Sequence, residues 1–128
     1  MAEKANKAIK NHKNFYSCSA AVLSAFAEEA GLNEQEAKAV AAPFAGGRMG
    51  KCGAVLAAEY VLSKRFPDSA DSMTAAFEKE FTDMNRSVMC NELKGALTGA
   101  PLRSCRGCVT DAAEILERMC SELSRKRS

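Results

Sequence analysis

From Ser17 to Ala30, apolar side chains recur at helical spacing, with Ala21, Val22, Ala25 and Phe26 on one stripe. Ser17 is placed to cap this helix and Gly31 to close it. Asn33, with Glu36 three residues on, reads as an asparagine capping box. It opens a second helix carrying Ala37, Val40, Ala41 and Phe44. A glycine-rich connection follows over 45–53. A third helix is predicted from about Cys52 to Arg65, with Val55, Leu56, Tyr60 and Leu62 available to a core and Pro67-Asp68 ending it. A fourth runs from about Ser69 to Met84, with Met73, Ala76, Phe77 and Phe81 on one face. Ser87 to Lys94 reads as a short helical piece closing near Gly95, and 97–107 as a loop containing Pro101. The last helix is predicted from about Cys108 to Ser124, with Val109, Ala112, Ala113, Leu116 and Met119 inward. No alternating run argues for a strand, and no segment repeats. The pattern predicts an all-α fold, a single compact bundle of five or six helices.

Length sets this bundle as one domain: 128 residues bury enough surface to fold without staples. Residues 1–13 read as a polar lead-in with at most a helical turn, 14–124 as the helical domain, and 125–128 as a basic tail. A net charge of +2 is too small to argue for nucleic acid or a membrane surface. The lead-in has no apolar segment of signal-peptide type, and no run approaches a membrane span. A cytoplasmic protein, outside the membrane, is the expectation.

The cysteines change the picture. Cys18, Cys52, Cys90, Cys105 and Cys108 all fall where a predicted helix is about to begin, whereas Cys120 lies deep in the last one. A helix start presents unpaired N–H groups and the positive end of the macrodipole. Both favour a thiolate, the form that binds metals and attacks disulfides. Five thiols so placed suggest cysteines at helix N-termini around one site. The simplest alternative is that each packs as a small hydrophobe, which suits Cys120 best. In a chain without export signals, six cysteines point to metal or redox chemistry before disulfides.

Cys105-Arg-Gly-Cys108 is the sharpest local motif. A CxxC pair opening a helix gives one activated and one resolving thiol, and Arg103 and Arg106 would favour the thiolate. Haem attachment is excluded because Val109 stands where histidine is required. His12, the single histidine, lies in the lead-in, so histidine ligation is not expected. Structural zinc sites use two close ligand pairs, and here one pair is close. Iron–sulfur clusters accept more scattered thiolates, and helix starts offset their negative charge. The loop Ala45-Gly-Gly-Arg-Met-Gly-Lys-Cys52 lacks the first glycine and the hydroxyl residue of a phosphate-binding loop, so no nucleotide is expected. Its glycines would instead let backbone approach whatever Cys52 holds. Glu28, Glu29, Glu34, Glu36, Glu78 and Glu80 read as solvated helix faces, with no paired-carboxylate site expected.

These segments resemble the C-GCAxxG-C-C family of redox-active bacterial and archaeal proteins over about residues 14–119. Cys18 with Ala20-Ala21-Val22-Leu23 resembles its first cysteine segment. Gly46-Gly47-Arg48-Met49-Gly50 with Cys52-Gly53-Ala54-Val55 is similar to its glycine-rich centre. Phe81 through Cys90-Asn91-Glu92-Leu93 resembles the third segment, and Cys105 with Val109-Thr110-Asp111-Ala112-Ala113-Glu114 the last. The resemblance implies Cys18, Cys52, Cys90 and Cys105 as the family cysteines, with Cys108 an addition. Ala57 stands where a glycine is common. Related sequence in split-Soret cytochromes c has its cysteines assigned to an iron–sulfur cluster.

Three functions stay in view. The first is a small redox protein whose Cys18, Cys52, Cys90 and Cys105 hold an iron–sulfur cluster for electron transfer, with Cys108 an alternate ligand, serving a redox partner protein. The second is a thiol–disulfide or sulfur-handling protein using Cys105 as nucleophile and Cys108 as resolving thiol. The third is a structural or zinc-holding helical domain. A homo-oligomer is compatible with all three.

Overall fold

The computed structural model of the protein describes residues 3–47, 51–89, 93 and 105–127. The described residues form seven α-helices: α1 Glu3–Lys13, α2 Cys18–Ala25, α3 Ala27–Ala30, α4 Glu34–Ala41, α5 Gly53–Arg65, α6 Ala70–Asn85 and α7 Cys105–Arg127. Tighter 3-10 turns cover Ala42–Gly47 and Pro67–Ser69. The fold is an all-α bundle. Among the described residues no strand occurs beyond one isolated antiparallel bridge, Lys51 to Met89.

The predicted caps act as caps. Ala20 N–H donates to Ser17 Oγ at 3.2 Å, opening α2. Glu36 N–H donates to Asn33 Oδ1 at 2.8 Å while Asn33 N–H donates to Glu36 Oε1 at 3.0 Å, the reciprocal box that opens α4. Gly31 closes α3 at φ 73, a left-handed conformation that a residue without a Cβ adopts freely.

The lead-in differs from expectation. Its residues form a helix of three turns, α1, which buries Ala5, Ala8 and Asn11 at every third position. A helix of 11 residues does not hold in water on propensity alone, so its order comes from docking. α1 packs on α2 and α7. Asn11 Nδ2 donates to Ala21 O of α2 at 3.2 Å. Glu117, far down α7, accepts from Lys4 N–H at 3.1 Å and from Ala5 N–H at 3.2 Å. Its carboxylate thereby satisfies two orphan donors and meets the positive end of the helix.

The segment Ser17–Ala30 also differs, because it is two helices. The chain bends at Phe26, at φ −110 and ψ 22, and the ring is wholly buried. No glycine or proline announces this bend, so packing of the ring imposes it. Ala76, placed inward by periodicity, is exposed, while Met73, Phe77 and Phe81 carry the buried face of α6. α7 begins at Cys105 and extends to Arg127, longer at both ends than predicted. The piece predicted over 87–94 lies mostly outside the described residues; Leu93 within it is buried and donates its N–H to Met89 O at 3.0 Å.

α5 is the central helix, packed against α2, α3, α6 and α7. It buries Val55, Val61 and Leu62 together with the small residues Gly53, Ala54, Ala57 and Ala58, which let neighbouring helices approach closely. Ala57 is fully buried within this face. No helix among the described residues is long and apolar enough to cross a membrane.

Candidate thiolate site

Three of the cysteines mark helix starts in the structure. Cys18 is the first residue of α2, Cys52 is the N-cap of α5, and Cys105 is the first residue of α7. Each therefore sits where backbone N–H groups and the helix dipole favour negative charge. Cys90 and the side chain of Cys105 lie outside the described residues.

Two of these starts meet. A Cβ built on Gly53 would lie 2.7 Å from Cys18 Sγ, 2.9 Å from Phe44 O and 3.3 Å from Ser19 Cβ. The Cys18 thiol therefore rests directly on the first turn of α5, beside the residue that Cys52 caps. Cys18 is half-buried and Cys52 is buried. Ser19, wholly buried, donates its hydroxyl to Ala41 O at 2.9 Å and so fixes the start of α2 against the end of α4.

A third cysteine segment arrives at the same place. Cys52 N–H donates to Val88 O at 2.7 Å, and the Lys51–Met89 bridge extends that pairing. The chain is thus pinned to Cys52 one residue before Cys90. Sequence periodicity gave no hint of this pairing, because a single bridge needs no alternating pattern.

The remaining thiols are placed differently. Cys108 lies one turn inside α7 and is 3% exposed. Cys120 lies among Lys4, Phe26, Glu29, Glu117 and Ser121, far along α7 from its start. Burial, then the nearby Glu29 carboxylate, pushes its thiol up to about 11, so it stays protonated at neutral pH. Among the described residues no three histidine, cysteine or acidic side chains are grouped as a metal site.

Beside Cys52 stands a charged cluster that the sequence reading missed. Lys51 pairs with Glu78 of α6 and lies 3.6 Å from Glu59 Oε1 of α5. Burial, then a hydrogen bond with Glu78, pushes the Glu59 carboxyl up to about 8. Glu78 is held below the usual carboxylate range, first by Glu59 and then by Lys51. At neutral pH Glu59 therefore keeps its proton while Glu78 stays ionised against Lys51. This corrects the expectation of no paired carboxylates and of Glu78 as a solvated face. Glu29 is likewise half-buried, paired with Lys4 and, at 3.2 Å, with Arg65. Only folding brings α5 and α6 side by side, and Glu59 carries no local signal of a partner.

No curated protein and no solved structure matches the chain. Residues 16–119 match the model of the family described as "Putative redox-active protein (C_GCAxxG_C_C)", and the protein belongs to that family.

Proposed function

We propose that the protein is an electron-transfer protein whose Cys18, Cys52, Cys90 and Cys105 thiolates hold an iron–sulfur cluster. One observation carries this: Cys18 Sγ rests on the first turn of α5, at the residue following Cys52, with the segment leading to Cys90 hydrogen-bonded to Cys52. The donor set fits the group. Thiolates are the usual cluster ligands, and helix starts offset the negative charge they bring. Bound there, a cluster would supply one-electron exchange. The protein's own contribution is to hold thiols at helix starts, keep Cys52 from solvent, and leave Cys18 partly open.

Thiol–disulfide chemistry by Cys105 and Cys108 draws less support. Cys108 is buried, which suits packing better than attack on an external mixed disulfide.

The test is the metal and sulfide content of protein purified without oxygen. Iron, inorganic sulfide and broad visible absorption are expected. Cys18→Ser, Cys52→Ser and Cys90→Ser should each lower the iron content, and Cys120→Ala should not. Zinc alone, or no metal after anaerobic reconstitution, would overturn the proposal.

A further inference from the structure

Phe15 ends α1 in a manner that neither packing nor backbone preference explains. Tyr16 N–H donates to Asn11 O at 3.1 Å and Phe15 N–H to His12 O at 3.2 Å. Those paired bonds are the Schellman closure of a helix, whose left-handed position favours glycine or asparagine. Phe15 occupies that position at φ 71. A bulky aromatic there is strained. The ring regains nothing by burial, because Phe15 is 98% exposed. Gly31, at the corresponding end of α3, shows the unstrained solution in the same chain. Backbone strain joined to full exposure of an aromatic ring marks a residue kept for contact with something else.

The surroundings show the charge of that partner. Lys7, Lys10 and Lys13 are exposed and recur at every third residue, so they line one side of α1 leading to Phe15. Among the described residues Lys10 and Lys13 enter no ion pair. Lys38 Nζ lies 4.3 Å from the ring centre of Tyr16, the residue after Phe15. Glu34, which accepts from Tyr16 OH at 2.6 Å, faces Lys7 and Lys38, and Glu3 and Glu28 line the same cleft as Lys7, so the positive excess lies with Lys10 and Lys13.

We propose that Phe15 and the Lys7–Lys10–Lys13 side of α1 form a docking surface for an acidic protein that offers an apolar socket to the phenyl ring. Charge complementarity selects this occupant. A second copy of the chain joined by twofold symmetry through this surface would set lysine against lysine. A lipid surface would need an apolar helix face, and Ala5 and Ala8 of α1 are spent on the core. The surface ends at Phe15, three residues before Cys18 along the chain. The proposal does not depend on what the cysteines hold.

The test uses the full chain, isotope-labelled for amide spectra, and two synthetic 20-residue probes, one of Glu and Leu, the other of Lys and Leu. The Glu/Leu peptide should shift the amides of residues 10–16, and the Lys/Leu peptide should not. Phe15→Gly should weaken binding at least tenfold while the protein melts no lower, since glycine suits the left-handed position. Lys10→Glu with Lys13→Glu should weaken it to a similar extent. Undiminished binding by Phe15→Gly, no binding, or shifts confined to other residues would overturn the proposal. So would self-association in sedimentation, or capture by phosphatidylglycerol vesicles, if either is lost in Phe15→Gly.

Discussion

At Gly53 the missing side chain is what lets two cysteine segments touch. Of the atoms a Cβ would meet, Phe44 O is backbone and cannot move aside cheaply, while Cys18 Sγ can only leave the α5 start. Gly53→Ala is therefore expected to cost about 1–2 kcal/mol, overpacking outweighing the gain in helix propensity. It should also lower metal retention more than its melting point alone implies, which thermal denaturation alongside iron analysis would check. Cys120 is the opposite kind of residue, a thiol whose surroundings silence it. With its thiol near 11, roughly one molecule in ten thousand is ionised at neutral pH. Mass mapping of iodoacetamide adducts should show it labelled at least ~100-fold more slowly in native than in denatured protein. Both residues carried visible signals. Cys120 stood far from any predicted helix start, and Gly53 belonged to a glycine-rich stretch. What that stretch could not convey was which atoms would crowd Gly53, because Cys18 and Phe44 reach it only through folding.

Among the elements, α5 and α6 are joined by the group Lys51, Glu59 and Glu78, and that joint responds to pH. Glu59 has its carboxyl raised from 4.5 to about 8 on folding. Between those values the folded chain holds a proton that the unfolded chain has released. The stability contributed by Glu59 is therefore full below the unfolded value and is lost as pH rises through about 8. Glu78 acts in reverse; its carboxyl is lowered, so its contribution is lost as pH falls through the acid range. Glu59→Gln should abolish the first effect and gain on the order of 1–2 kcal/mol over the parent at pH 9, with little change at pH 5. Denaturant melts of both proteins across that range would measure it. Helices of this kind were legible where caps and periodicity coincide, as at Ser17, Asn33 and Gly31. They were not legible where docking decides, as in α1, whose few buried side chains are alanine and asparagine and leave no apolar stripe.

For the molecule as a whole, the sequence conveyed the all-α class and the family, because helical spacing and cysteine segments are both local patterns. The relation between segments was not conveyed. The Lys51–Met89 bridge, the Glu59–Glu78 pair and the seat of Glu117 on α1 each join positions whose separation in sequence carries no pattern. That last contact orders events in time. The first turn of α1 is synthesised long before the carboxylate that receives its N–H groups, which lies 113 residues downstream of Lys4. Cys18 and Cys52 are synthesised well before that carboxylate, whereas Cys105 arrives on the same helix. A nascent chain therefore carries α1 without the group that caps it until α7 is made, and α7, which also packs on α2 and α5, completes the bundle last. Until α7 emerges, α1, α2 and α5 all lack a helix that they pack against in the finished fold.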